Sequence, residues 1–515
     1  MPGGHSVPLY DALRGRPNIR HIVGRHEQGL AYMADGFYRA SGEIAAVTTT
    51  SGPGVAGLAS PLGGATTDTS AVLVVSSTVR SDLIGRNRGG LHDLNDAIEM
   101  MRAVCGPVAS CRTVEEIPGK IRGLLRDLRC GRPCAAFCEI PQDVLKAEAE
   151  VEIPQRAERE RKAPPADAVG KAVRLLAGAQ RPVIWAGTGA LISEAGDEVD
   201  ALARKIGAIV VTTKLAQGLL PPDHPHCVRR DGVTLNAVNA LLGDADVVLA
   251  AGTMFKQEDT AGWRLTPGEK RIHIDIDPQE LGRSYPADVG MEADAKAALQ
   301  DILAELPDRP PADSSWMERA RTAEQEFLDT WRKKGPVEMR AVEILRASTP
   351  PDALFYFDRC NLGYWAWIDF LVAGPRTFHF PMGYGGIGPA LPQAIGGKIA
   401  CPDKPVVSVI GDGGFQFTGM ELAVAVQEKS PITVIVCNNQ RYGAIAADMQ
   451  ANFGHADLGC DIGGPDLQKF AAAYGMPEVR VDDLDHFGAA LKKGIESNTL
   501  NLIELTVELM NPPWS

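Results

Sequence analysis

The chain has 515 residues, is 45% apolar and 23% charged, and carries a formal net charge of −13. This length accommodates about three domains of ordinary size. The acidic balance argues against a nucleic-acid or anionic-membrane surface, and no run of about 20 apolar residues is present to span a bilayer. Met1-Pro-Gly-Gly-His5 lacks the basic region and apolar core of a signal peptide. The ten cysteines are scattered without CxxC spacing and read as reduced thiols of a cytoplasmic protein. Cys130, Cys134 and Cys138 are spaced four apart, but Gly131 and Pro133 break any helix between the first two and no His follows at zinc spacing.

Residues 1 to about 150 alternate short apolar strands, clearest at Ile44–Val47, Ala71–Val75 and Ala135–Ile140, with helical segments such as Ile117–Leu128. That alternation predicts a parallel sheet with helices on both faces. The segment from Val151 to about Ala166 is rich in Pro, Glu, Arg and Lys and reads as a linker. A second α/β unit runs to about Leu306. It opens at Pro182-Val-Ile-Trp-Ala-Gly-Thr-Gly189 and continues with strands at Ala208–Thr212, Val247–Ala251 and Arg271–Ile276. On its own the Gly-x-Gly is too short to specify a nucleotide. Leu306 to Ser315 reads as a second, Pro-rich linker, and a third α/β unit fills the chain from about residue 335.

The third unit holds the stretch around which the chain is organised. Val406 to Ile410 is a β-branched apolar run that predicts a buried strand, halted by Gly411-Asp412-Gly413-Gly414. Glycines there can take φ > 0 and leave room for a ligand to approach the backbone. A helix is expected over Met420–Glu428. A second buried strand follows at Ile432–Val436, with Asn438-Asn439 at its end. In a β-α-β unit both strand ends emerge at the carboxyl edge of the sheet, where open α/β sheets bind ligands. One carboxylate and one amide oxygen beside glycine N–H groups suit a hard cation carrying phosphate oxygens.

Gly411-Asp412-Gly413 followed by Asn438-Asn439 resembles the thiamin diphosphate (ThDP) signature. Further motifs resemble acetolactate synthase-like enzymes and 2-oxo acid decarboxylases: Pro2-Gly-Gly4, Arg25-His-Glu-Gln-Gly29, Met33-Ala-Asp-Gly36, Ser51-Gly-Pro-Gly54, Glu139-Ile-Pro-Gln-Asp143, Ile272-His-Ile-Asp-Ile-Asp277 and Gly383 to Gly396. The resemblance covers nearly the whole chain in order. It implies an α/β fold of three doubly wound parallel-sheet domains: pyrimidine-binding (1–150), middle (166–306) and diphosphate-binding (335–515). The family usually has a helix and a strand before Pro-Gly-Gly, so the first sheet is expected to lack an edge strand, or the chain to be truncated. Gly52-Pro-Gly-Val-Ala-Gly-Leu-Ala and Gly385-Gly-Ile-Gly-Pro-Ala-Leu-Pro392 hint at the shared topology of the two cofactor-binding domains.

The resemblance also implies roles. Asp412, Asn439 and the carbonyl of Arg441 would hold Mg²⁺ against the diphosphate. Gly413 and Gly414 would offer N–H groups to the phosphates, with Asn361 and Tyr442 as further cofactor contacts. The Gly385 carbonyl would accept from the cofactor's 4′-amino group, and Ile387 would wedge under the bent cofactor. The cofactor's C2 is a weak acid, and a carboxyl bonded to pyrimidine N1′ favours the imino tautomer that removes its proton. Glu27 matches that acid, and it is expected to be buried with a raised pKa. It would serve the cofactor held by another subunit, so a homodimer or homotetramer with active sites between subunits is expected.

Three loops are expected to line the substrate pocket: Gly4-His5, Arg86 to Asp93, and Tyr442 to Ala447. In the second, His92 reads as an acid/base and Arg86 or Arg88 as a carboxylate clamp. Two departures bear on the reaction. Ile445 is followed by Ala446, where pyruvate decarboxylase-like members carry an acid. Gly252-Thr-Met-Phe255 stands where acetolactate synthases carry Arg-Phe-Asp-Asp, so FAD is not expected. The implied activity is ThDP- and Mg²⁺-dependent decarboxylation of a 2-oxo acid, followed by protonation or carboligation. The alternatives are acetolactate synthesis from two pyruvates, C–C hydrolysis of a diketone, and a silent ThDP-binding paralogue. Intact Glu27, Asp412 and Asn439 argue against the last.

Overall fold

Three parallel sheets follow one another along the chain. The computed structural model describes residues 1–156, 158–308 and 312–514. The first sheet joins β1 (Ala45–Thr49), β2 (Val72–Thr78), β3 (Val108–Ser110) and β4 (Ala135–Pro141) in the order β1-β2-β4-β3. The second joins β5 (Pro182–Ala186), β6 (Ile209–Thr212), β7 (Val247–Ala251), β8 (Lys270–Asp275) and β9 (Val289–Glu292) in the order β6-β5-β7-β8-β9. The third joins β10 (Leu354–Phe357), β11 (Phe378–His379), β12 (Val406–Gly411), β13 (Thr433–Cys437), β14 (Glu478–Val481) and β15 (Asn501–Leu505) in the order β11-β10-β12-β13-β15-β14. The fold is therefore α/β, with helices between the strands of each parallel sheet. Val406–Ile410 and Thr433–Val436 are buried throughout, as strands covered on both faces must be.

In the third sheet the strand order reverses at β10, with β11 on one side and β12 on the other. Chains leaving β10 and β12 therefore turn away from each other at their carboxyl ends and leave a crevice between them. The residues after β10, β12 and β13 all open onto that edge.

Two sequence expectations are corrected here. The single helix expected over Met420–Glu428 is broken. A helix opens at Asp412 and runs to Thr418, a 3₁₀ turn spans Gly419–Glu421, and a second helix covers Leu422–Gln427. The turn aims the Glu421 carboxylate at the backbone N–H groups of Arg25 and His26, 3.2 and 2.9 Å away, a tertiary contact that local sequence does not encode. The second linker is also shorter than expected. A helix begins at Ser314, capped by Asp313 Oδ1 on Ser315 N–H, while residues 309–311 of the expected linker lie outside the described residues.

The first unit is docked on the third by the helix Glu27–Ser41, which crosses the helix Ala390–Ala400. Gly36 and Gly396 sit at the crossing. A Cβ on either would run into the other helix's backbone, at Gln393 and Met33 respectively. Tyr356 Oη donates to Gly36 O at 2.9 Å and Gln393 Nε2 to Asp35 Oδ2 at 2.6 Å. The largest apolar core runs from Val183 and Trp185 in the second unit to Phe355 and Phe357 in the third. No helix among the described residues is long and apolar enough to cross a membrane.

Candidate functional site

A cavity of about 300 Å³ opens at the carboxyl edge of the third sheet. Arg359, Cys360 and Asn361 after β10, Gly411 to Gly414 after β12, and Asn438 to Tyr442 after β13 all line it, facing Gly385 and Ile387. Asp412 and Asn439 share this lining because β12 and β13 pair in parallel, with Gly411 opposite Cys437.

Asp412 is buried. Its Oδ1 accepts Gly413 N–H at 2.9 Å and its Oδ2 accepts Arg441 N–H at 3.2 Å. Burial pushes its carboxyl above the ordinary range, and these backbone donors oppose the rise. Asn439 is exposed on the opposite rim. Gln440 beside it adopts φ 54°, and the Arg441 carbonyl accepts Gly443 N–H at 2.8 Å.

The glycine turn does not use the φ > 0 open to it: Gly411 has φ −77°, and Gly413 and Gly414 are helical. Glycine is required there by space instead. A Cβ on Gly413 would overlap the Tyr442 ring, and one on Gly414 would sit 2.5 Å from Asp358 Oδ2. Positive φ occurs across the cavity, at Gly385 (73°) and Gly388 (91°).

Asp358 is a group that the sequence reading passed over in favour of Asn361. It is buried, its Oδ2 accepts Gly388 N–H at 2.7 Å, and its Oδ1 accepts Arg359 N–H at 2.7 Å. Burial drives its carboxyl up to about 7 against those two bonds and the Arg359 charge. The signal was available, since Asp358 follows β10 as Asp412 follows β12. Asn361 lines the cavity, but its Nδ2 is committed to Leu509 O at 2.6 Å. Val507 and Leu509, from the segment after β15, form a further wall that nothing in the local sequence marked.

Glu27, His92, Arg86 and Arg88 do not line this cavity. Glu27 is the first residue of its helix, behind the cap formed by His26, and it is half-buried rather than buried because the start of that helix faces outward in the single chain. Its Oε1 lies 3.5 Å from where a Gly54 Cβ would stand. His92 is half-buried at φ 61°, with Nδ1 3.4 Å from Thr50 Oγ1 and its ring edge-on to His5 at 5.1 Å. Burial, then the neighbouring His92 and Lys146, lower the His5 pKa. Arg86 and Arg88 lie on an exposed loop.

Two larger cavities exist. One of about 580 Å³ lies between the first and second units, and one of about 610 Å³ surrounds Phe255 and Trp263. Chemistry rather than size selects the 300 Å³ site. It alone of the three joins a buried carboxylate and an amide at neighbouring strand ends to a glycine wall that no side chain could occupy. Those oxygen donors and that cradle fit a hard cation bridged to a diphosphate.

Family models match along the chain: the thiamine pyrophosphate enzyme N-terminal TPP binding domain at residues 1–100, the central domain at 169–302 and the C-terminal TPP binding domain at 360–505. A probable 2-ketoarginine decarboxylase of Pseudomonas aeruginosa is 33% identical over 98% of this chain and 90% of its own length. A probable acetolactate synthase large subunit of Methanocaldococcus jannaschii is 32% identical over 98% of this chain and 88% of its own. An acetolactate synthase of Mycobacterium bovis is 30% identical over 94% of this chain and 80% of its own.

Proposed function

This chain belongs to the thiamine pyrophosphate enzyme family, and on that premise we propose that it uses ThDP and Mg²⁺ to decarboxylate a 2-oxo acid and then protonates or ligates what remains. The observation that carries the reading is the shared lining of one cavity by Asp412, Asn439, Gly385 and Ile387. Bound there, the cofactor supplies the electron sink that cleavage beside a carbonyl requires.

Asp412, Asn439 and the Arg441 carbonyl would hold the metal. Gly413 and Gly414 would present N–H groups to the phosphates, with Asn361 and Tyr442 beside them. The Gly385 carbonyl would orient the aminopyrimidine and Ile387 would fill the space beneath it. Glu27 would complete the cavity of a second copy and hold a proton at the pyrimidine edge. Its half-exposure and its absence from the cavity of its own chain support that arrangement. The smallest active unit is then a dimer, itself able to pair into a tetramer, and the compartment is the cytoplasm. His92, near His5 on the first unit, would move the product's proton, and Arg86 or Arg88 would meet the substrate carboxylate. The domain bounds that go with this reading are 1–150, 166–306 and 335–515.

The test is CO₂ release from a panel of 2-oxo acids that includes pyruvate and 2-ketoarginine, with ThDP and Mg²⁺ present. Release from none of them by protein that has bound ThDP would refute the reading. Carboligation is the second reading, favoured by the relatives named acetolactate synthase. Acetolactate rather than an aldehyde as the product of pyruvate would select it.

A further inference from the structure

The Asn438-Asn439 pair is split between two tasks. Asn439 is exposed on the cavity rim. Asn438 is tied down on both sides of its amide. Its Oδ1 accepts Gln440 N–H at 3.2 Å, and its Nδ2 donates to Glu504 Oε1 at 2.7 Å. Its backbone N–H donates to Leu505 O at 2.9 Å, which continues the β13–β15 ladder into the turn.

Glu504 anchors this amide and belongs to no part of the cavity wall. It lies on β15 with a side chain 2% exposed. Register places it opposite Val436 on β13 and Arg480 on β14, so its carboxylate sits beneath the turn that leaves β13. Its second oxygen accepts Arg480 Nε at 2.9 Å and Gln468 Nε2 at 3.0 Å. A carboxylate with three donors on two oxygens is fixed in place, and one of those donors is Asn438. The path is thus Arg480 and Gln468 to Glu504, to Asn438, to the Gln440 N–H at positive φ, and then to Arg441, whose N–H closes on Asp412 Oδ2 at 3.2 Å.

We propose that Glu504 is a positioning residue for the cation end of the site: through Asn438 it sets the turn that presents the Asn439 amide and the Arg441 carbonyl to the metal opposite Asp412. This rests on the reading of the cavity as a Mg²⁺–diphosphate site. Partners that orient metal ligands without touching the metal typically change its affinity by about 10- to 100-fold when removed.

The measurement is bound ThDP, by equilibrium dialysis of the full chain across a Mg²⁺ titration, with thermal unfolding of each variant alongside. Glu504→Leu and Asn438→Ala should each raise the half-saturating Mg²⁺ concentration at least about tenfold. The double variant should be little worse than the stronger single one, since both cut the same path. Glu504→Gln, whose single oxygen can still accept from Asn438 but whose NH₂ then faces the Arg480 and Gln468 donors, should recover part of the loss. Arg480→Met removes one of the two donors on the second Glu504 oxygen, leaves Gln468 in place, and should raise the Mg²⁺ requirement less than Glu504→Leu does. Asp412→Ala separates the two ideas. If it abolishes Mg²⁺-dependent binding while Glu504→Leu stays within about twofold of wild type, the positioning role is wrong and the site reading stands. If Asp412→Ala binds ThDP normally, the site reading falls and this inference with it. An Arg480→Met effect equal to that of Glu504→Leu would reduce Glu504 to edge-strand support. Should Glu504→Leu fail to fold, Asn438→Ala decides, and wild-type Mg²⁺ dependence there overturns the proposal.

Discussion

Replacing Gly414 by alanine puts a methyl group 2.5 Å from Asp358 Oδ2 and 3.2 Å from Gly388 N. Gly414 is already helical, so the substitution meets no backbone strain and its whole effect comes from the collision. The Asp358 carboxylate cannot step aside freely, because each oxygen accepts a backbone N–H at 2.7 Å in a buried setting. Moving it breaks the bond to Gly388. Above about pH 7, where Asp358 is ionised, a hydrogen bond to this charged group contributes roughly 1.5–3 kcal/mol, so Gly414→Ala should destabilise the third unit by that order there. Gly388 also anchors Thr418 through its carbonyl and lies next to Ile387, so the cavity wall shifts with it. A loss of that size transmitted to binding corresponds to about 10- to 150-fold in ThDP affinity. Calorimetry of ThDP binding and thermal unfolding measure the two effects. Gly119→Ala is the control, because Gly119 lies in the helix Glu116–Cys130 with nothing within 4 Å of an added Cβ. It should stabilise by about 0.5–1 kcal/mol. Wild-type melting and ThDP affinity within twofold in Gly414→Ala would show that the glycine is not required for space.

Lys214 is buried, with its Nζ over the Phe378 ring at 4.8 Å and without a hydrogen-bond partner among the described residues. Burial lowers its pKa from 10.5 to about 7, against the raising influence of Asp369 and Asp231. Between those values the unfolded chain binds the extra proton, so wild-type stability should rise with pH through that window, by up to about 1.4 kcal/mol per pH unit. Lys214→Met should therefore be more stable than wild type at pH 7, with an advantage that shrinks toward pH 10; an advantage constant with pH in denaturant unfolding would contradict the assignment. Glu27→Gln should keep most of its ThDP affinity and lose about 10²- to 10⁴-fold in kcat. C2 hydrogen–deuterium exchange of bound ThDP at the wild-type rate would leave Glu27 a helix-end charge. Light scattering should find a dimer or tetramer, and a turning-over monomer of 55.0 kDa would rule out a site shared between copies.

The alternation of apolar strands and helices was enough to specify three parallel sheets, and the β12–helix–β13 unit was enough to bring Asp412 and Asn439 to one edge. Both follow from local pattern, because a strand's direction and period settle which end its last residue occupies. The reason for the glycines after β12 was not legible. Their neighbours, Tyr442 and the Asp358 carboxylate, come from other strand ends, and only packing shows that a Cβ has no room. The raised pKa of Asp358 and the fixing of Asn438 by Glu504 likewise depend on burial and on strand register between segments distant in the chain. The same holds for Glu27. The helix that carries it is held by docking on Ala390–Ala400, at a crossing where two glycines allow backbones to touch, and those contacts join segments distant in the chain. Sequence period determines where each strand ends; close packing between distant segments decides what stands opposite that end.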